Sequence, residues 1–385
     1  MKKIYLDYAA TTPVDPTVAK VLQPFFVADF GNPGSVHQFG RVALAAVDRA
    51  RAQVAQLLGS TPHEIIFTSG ATESANVAIR GTLYSGDHCV TTTIEHPAVL
   101  GPIAELAKQK ITATTVGVLK SGIVDANQII AAIKPETKLI SMMYVNNEVG
   151  TIQPVAQVAQ QLRSINVSRQ KEGLKKVLLH TDATQALFYL PCDVTTLGVD
   201  LLTISSHKVY GPKGAGALYV KNGVGLEPLI VGGPQEYGLR AGTQNVPAIV
   251  GFGHAASLLA GPKHQKELTR IGQLRDWLLA AVQKNFPTAT VNGELQQRVA
   301  GNLNITLPGI DGQQLLILLD KQGIAVSTGA ACASGSPEPS HVLLAMGYSQ
   351  AAARSSIRIS VGKTTKKKDL VRFTRSLQQA VKILT

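Results

Sequence analysis

Between residues 60 and 220, short unbroken apolar runs alternate with stretches whose apolar residues recur every three or four positions. Ile65-Ile66-Phe67-Thr68 is a run of the first kind, Ser69-Gly70 breaks it, and Ala71 to Leu83 reads as a helix. His88 to Thr92 predicts the next strand, followed by a helix through Val99, Ile103, Leu106 and Ala107. The same texture predicts strands at Ala113–Val118, Leu139–Val145, Val177–Thr181, Leu201–Ser205 and Gly216–Val220. Strands alternating with helices imply an α/β fold with a mainly parallel seven-stranded sheet covered on both faces. Ligands of such sheets bind beyond the carboxyl ends of the strands, so the polar residues that follow each strand carry the functional information.

After about residue 250 the texture changes. Long helical segments, His264–Asn285 and Gln313–Gln322, alternate with short strands at Asn302–Leu307, Ala325–Ser327 and Ser356–Val361, the pattern of a smaller α+β domain. Between them, Thr328 to Ser340 is built of small and turn-forming residues around Cys332 and reads as a mobile loop.

Composition narrows the class. With 385 residues, 45% hydrophobic and 16% charged, the chain is long enough for a large core. The net charge of +12 invites a polyanion partner, but much of it sits in two segments, Arg163–Lys176 and the last 25 residues. Aromatic residues are not interleaved with these clusters, so direct nucleic-acid binding by base stacking is not expected. The three cysteines, Cys89, Cys192 and Cys332, form no C-x-x-C and have no paired histidines, which argues against disulfides and metal and for a reducing compartment. Met1 to Asp7 meets an acidic residue too early for a signal-peptide core, and no apolar run approaches a membrane span; a cytoplasmic protein is expected.

The strand ends collect an unusual set of groups. Ser69-Gly70-Ala71-Thr72-Glu73 opens a helix whose free amides suit an anion, although no P-loop spacing occurs. Glu95-His96, Asn146-Asn147-Glu148, Asp182-Ala183-Thr184-Gln185 and Ser205-Ser206-His207-Lys208 each follow a strand. Singly, each could be a helix cap or a solvated charge. Together, an Asp, a Lys and an anion-binding helix start at one sheet edge are the parts that pyridoxal phosphate requires.

At this point the sequence resembles the cysteine desulfurases of the NifS/IscS type, pyridoxal-phosphate enzymes of fold type I in the class V aminotransferase superfamily. The resemblance rests on Tyr5 to Pro13, Gly31-Asn32-Pro33 through His37, Thr68 to Glu73, Asn146 to Gly150, Asp182 to Gln185, Ser206 to Gly214, Arg240 to Thr243, and Ala331-Cys332-Ala333-Ser334 with Glu338-Pro339-Ser340. It implies a large cofactor-binding domain over residues 15–250 and a small domain of 1–14 and 251–385 carrying a catalytic loop at about 327–340. It further implies that Lys208 binds the cofactor covalently and moves the substrate Cα proton, that Asp182 pairs with the pyridinium nitrogen, and that His96 stacks on the ring. Gln185 and Asn147 would lie at the phenolic oxygen. Ala71, Thr72, Ser205 and His207 would hold the phosphate, with Thr243 reaching in from a second subunit of a homodimer. Arg358, helped by Asn32 and Asn147, would take the carboxylate of L-cysteine.

Cys332 would attack the substrate sulfur, leaving L-alanine and a persulfide for an acceptor protein, an iron–sulfur scaffold or a tRNA-thiolation enzyme. The basic segments would then be docking surfaces. Pro234 and Tyr237 depart from the family's usual Gly or His and Arg. Two alternatives remain open: another enzyme of the superfamily (selenocysteine lyase, aminotransferase or kynureninase-like), which would share Lys208 and Asp182 but not Cys332 in its loop, and a non-catalytic basic adaptor on the same fold.

Overall fold

A computed structural model describes residues 3–328 and 338–385. Cys332 lies outside the described residues. Strand β1 (Ile4–Tyr5) is followed by the seven strands of the central sheet: β2 (Ile65–Thr68), β3 (His88–Thr92), β4 (Thr112–Val116), β5 (Thr137–Met143), β6 (Leu178–Asp182), β7 (Leu201–Ser205) and β8 (Gly216–Val220). Their order is β2-β8-β7-β6-β5-β3-β4. Every residue of β2, β3, β6, β7 and β8 is buried, as expected for strands covered on both faces, whereas β4 at the edge is largely exposed. The pairs among β7, β6, β5, β3 and β4 are parallel; β8 alone runs against its neighbours. The ten residues between β7 and β8 are too few for a crossover, so the chain returns antiparallel.

Several predicted bounds shift for local reasons. The helix after β2 runs Ala71–Arg80 and stops at Gly81, where a Cβ would meet the carbonyl oxygens of Val77 and Glu227 at 2.6 and 2.7 Å. Strand β5 ends at Met143 because Val145 turns away to bridge Ile152. The long helix Gln38–Leu58 buries Ala43, Val47, Ala50, Val54 and Leu58, one apolar stripe, and ends on left-handed Gly59. It packs against the helix Val246–Ser257, which runs through residue 250. The approach is close enough that a Cβ on Gly253 would lie 2.5 Å from the Ala50 Cα.

The rest of the chain builds a second, antiparallel sheet in the order β12-β10-β9, from β9 (Thr290–Val291), β10 (Asn302–Thr306) and β12 (Ser356–Ser360). The N-terminus joins this part: β1 pairs in parallel with β11 (Ile324–Ala325), and Asp7 bridges Ser360. The closing helix Lys367–Leu384 is amphipathic, burying Leu370, Phe373, Leu377 and Ala380.

A buried ion pair ties the helix Gln38–Leu58 to the segment after β8. The Arg51 guanidinium donates to both Glu236 carboxylate oxygens, at 2.6 and 2.7 Å, and lies 4.8 and 5.3 Å from the ring centroids of Phe67 and Tyr237. Tyr237, one of the family departures, thus shares in seating this arginine. Glu236 also accepts from the Phe67 amide (2.9 Å) and Gln244 Nε2 (2.7 Å). Glu236→Ala leaves Arg51 charged and unpaired, and urea unfolding should show a loss of about 3–5 kcal/mol. A loss under about 1 kcal/mol, the range of an exposed pair, would contradict this assignment.

The basic clusters are partly consumed by the fold. Arg169 is buried, donating to the carbonyls of Lys175, Lys134, Pro135 and Thr137, while Lys175 and Lys176 pair with Asp87 and Asp200. In the C-terminal segment Lys363 lies 4.4 Å from the Tyr210 ring centroid and Lys367 5.6 Å from that of Trp277.

Candidate active site

The carboxyl ends of β2, β5, β6 and β7 open onto a cavity of about 590 Å³. Of the residues singled out in the sequence, Ala71, Thr72, His96, Asn147, Asp182, Gln185, Ser205, His207, Lys208 and Arg358 line it. Asn32 and Thr243 do not; both are exposed, and Asn32 Oδ1 accepts from the Gly34 amide.

Lys208 sits on the short helical turn Ser206–Lys208 directly after β7. Its Nζ donates to the carbonyls of Ala9 (2.7 Å) and Ala10 (2.8 Å), and Gln185 Nε2 donates to Ala9 as well (2.9 Å). Ala9, Ala10 and Thr11 form one wall of the cavity, a contribution the sequence reading did not foresee. They are held there because the Thr12 amide donates to the His207 carbonyl and the Tyr210 amide to Thr12 Oγ1.

Asp182 ends β6, with Oδ1 accepting from the Thr184 amide at 2.9 Å. Beneath it His180 is buried between Ser141 and Thr203, and burial pushes its imidazole down to about 4. His96 caps the helix Pro97–Leu106; Nδ1 accepts from the Ala98 amide, which leaves the ring proton of the neutral form on Nε2. Burial holds its pKa below the ordinary value, against the attraction of Asp182 and with help from Lys208 and His341. His207 is pushed down to about 4, by burial and by the charges of Lys208 and Lys213. Both cavity histidines are therefore neutral near pH 7, flat uncharged rings that can still hydrogen-bond.

The helix Ala71–Arg80 begins at Gly70 without a side-chain cap, so its first amides face the cavity. A Cβ on Gly216 would lie 2.6 Å from Gly70 Cα, the approach that sets the start of β8 beside this helix start. Glu73 is drawn away from the opening: its carboxylate accepts from Arg240 Nε (2.9 Å) and the Ser69 amide (2.8 Å). Burial opposes its charge, but these bonds outweigh burial and hold Glu73 below the usual carboxylate range.

Opposite, Arg358 in the middle of β12 is buried, with one terminal nitrogen donating to the Asn147 carbonyl and the other to Asp7 Oδ1, each at 2.8 Å. Its Nε has no partner among the described residues. Asp7 is a second residue missed in the sequence; only its place beside Ser360, across the whole chain, brings it to the arginine. No group of three or more metal-ligating side chains occurs among the described residues, and no described helix is long and apolar enough to cross a membrane.

A model of the class-V aminotransferases matches residues 4–373. A cysteine desulfurase IscS of Dictyoglomus turgidum is 42% identical over 96% of this chain and 92% of its own length. The chain belongs to the cysteine desulfurases of the class-V aminotransferase family. A cysteine desulfurase of Mus musculus is also 42% identical, over 96% of this chain and 79% of its own. Among solved structures, a NifS-like protein superposes with a TM-score of 0.90 at 34% identity, covering 99% of this chain and 100% of that one. SspA in complex with cysteine gives 0.80 at 35%, covering 95% and 100%.

The desulfurase is thus a pyridoxal-phosphate enzyme, and no comparison favours the other readings left open by the sequence. Its cavity fits the cofactor. Thr184 and Ser205 line the cavity, their hydroxyl oxygens buried and without a partner among the described residues, and the uncapped helix start adds backbone donors. Buried donors left unsatisfied at the site of an anion are accounted for by that anion.

Proposed function

We propose that this cavity is where L-cysteine gives up its sulfur to Cys332 and leaves as L-alanine. One observation carries the reading: Lys208, Asp182, His96 and Arg358, from four separate stretches of chain, converge on one cavity beside an uncapped helix start. Pyridoxal phosphate, when bound, draws electrons from the substrate Cα through a ring kept protonated by Asp182. The helix start at Ala71-Thr72 with Ser205 and His207 takes the phosphate, the neutral His96 ring covers the cofactor face, and Gln185 and Asn147 lie at the phenolic oxygen. Arg358, fixed by Asp7 and Asn147, offers its guanidinium to the substrate carboxylate. Lys208 binds the cofactor covalently and then moves the Cα proton.

The Cys332 thiolate attacks the substrate sulfur: an S–S bond forms, the Cβ–S bond breaks, and its electron pair stays on carbon, which takes up a proton to become alanine. Cys332 follows Ser327 by five positions, so connectivity limits it to at most about 18 Å of chain from the Ser327–Arg358 bridge.

A homodimer is part of the same reading. Phe26, Val27, Phe30, Val36, Phe39 and Val231 are each more than half exposed in the isolated chain, apolar surface that a second subunit would cover. Thr243, which does not line its own chain's cavity, would then serve the second subunit's. Residues 15–250 would form the cofactor-holding domain and residues 1–14 with 251–385 the small one, the helix Val246–Ser257 running across that boundary. The persulfide is passed in the cytoplasm to an iron–sulfur scaffold or a tRNA-thiolation enzyme. Cofactor-loaded protein given L-cysteine and dithiothreitol should release sulfide and alanine in equal amounts; no sulfide would overturn the reading.

A further inference from the structure

Both roots of the segment that carries Cys332 are fastened to the carboxylate-binding corner of the cavity. On the N-terminal side, Ser327 exchanges backbone hydrogen bonds with Arg358: its amide donates at 3.1 Å and its carbonyl accepts at 2.6 Å. On the C-terminal side, Ser340 Oγ donates to Glu148 Oε2 at 2.5 Å, with both residues buried. Glu148 follows Asn147, whose carbonyl holds Arg358, and the Glu148 carbonyl accepts from the side-chain amides of Asn302 and Asn304 on β10. Thr328, one residue inside the first anchor, and Glu338, two residues inside the second, line a single cavity of about 90 Å³, so the two roots lie side by side.

We propose that the Glu148–Ser340 hydrogen bond is a positioning latch, setting the C-terminal root of the Cys332 segment against Arg358 so that sulfur transfer, rather than cysteine binding, depends on it. The inference rests on the function proposed above. Glu148 carries no other assigned role, yet it is a carboxylate in the interior, where burial raises its pKa against the opposing effects of Ser340, His341 and Arg358. An ionisable group kept in such a place is costly unless its hydrogen bond matters.

Ser340 also caps the helix His341–Ala345, accepting from the Leu343 amide, so the two roles must be separated. Glycine serves as an N-cap at a cost of only a few tenths of a kcal/mol but has no hydroxyl to donate. In single-turnover experiments Ser340→Gly should slow the appearance of persulfide on Cys332 about tenfold or more. Affinity for L-cysteine, followed through the cofactor's absorbance, should stay within about twofold. Glu148→Gln keeps an acceptor for the Ser340 hydroxyl and should stay within about threefold of the unmodified enzyme in persulfide loading. Unchanged loading in Ser340→Gly overturns the latch, as does an equal loss of cysteine affinity and loading, which marks a general disturbance of the fold. A wild-type enzyme that forms no persulfide on Cys332 would overturn the function above instead.

Discussion

Replacing Lys208 by alanine is expected to reduce sulfide release by at least about 10³-fold, within the range a positioned acid–base group supplies, and to leave the cofactor held without a covalent bond. The amine is placed for both tasks by the carbonyls of Ala9 and Ala10, which accept hydrogen bonds from it and fix Nζ against the cavity wall. The alanine variant loses the nucleophile but keeps Thr184, Ser205, Asp182 and the uncapped helix start, so pyridoxal phosphate should still bind. Intact mass after borohydride reduction gives the sharpest readout: the cofactor's mass should be added to the wild type and absent from Lys208→Ala. Lys208→Arg should not rescue, because the guanidinium stays protonated and is no nucleophile. Covalent cofactor in Lys208→Ala, or a rate within tenfold of wild type, would remove Lys208 from its role.

Why Lys208 could be named from sequence, and its wall could not, is a matter of chain distance. Asp182, Ser205, His207 and Lys208 each lie at or just past the end of a buried strand, and the sheet itself carries them to one edge. Local apolar texture is enough to place such residues. Asp7 and Ala9-Ala10 come from a segment with one two-residue strand, and they reach Arg358 and the cavity wall through pairings with residues about 200 to 350 positions away. Nothing local encodes that. The reversal of β8 was hidden for a similar reason, since an antiparallel strand buried on both faces has the same apolar run as its parallel neighbours. Arg169 misled in the opposite direction: within a basic run it looks like solvated surface, yet four backbone carbonyls draw it inside. The surplus charge is accordingly a weaker pointer to an acidic partner than its count implied.

Cys332→Ala is expected to reduce sulfide release from L-cysteine by at least about 100-fold, the scale on which loss of an essential nucleophile is felt, while pyridoxal phosphate and L-cysteine still bind. The reason lies as much in the other two thiols as in Cys332. Cys89, within β3, and Cys192 are both buried, and burial pushes each thiol up to about 12, with nearby Glu95 adding to the effect on Cys89. A raised pKa means that the neutral thiol persists through physiological pH. Neither can attack a substrate sulfur at a useful rate, and neither lines the cavity. The remaining cysteine is joined by short chain to Ser327 and Ser340, which are fastened to Arg358 and to Glu148 beside Asn147. Cys89→Ala and Cys192→Ala, one at a time, should therefore keep at least about half of the sulfide release, whatever they cost in stability. Peptide mass spectrometry after one turnover without reductant should find the added sulfur on the peptide containing Cys332. Full activity in Cys332→Ala, or persulfide on Cys89 or Cys192, would transfer the nucleophile's role to a buried thiol and contradict the burial argument together with the mechanism built on it.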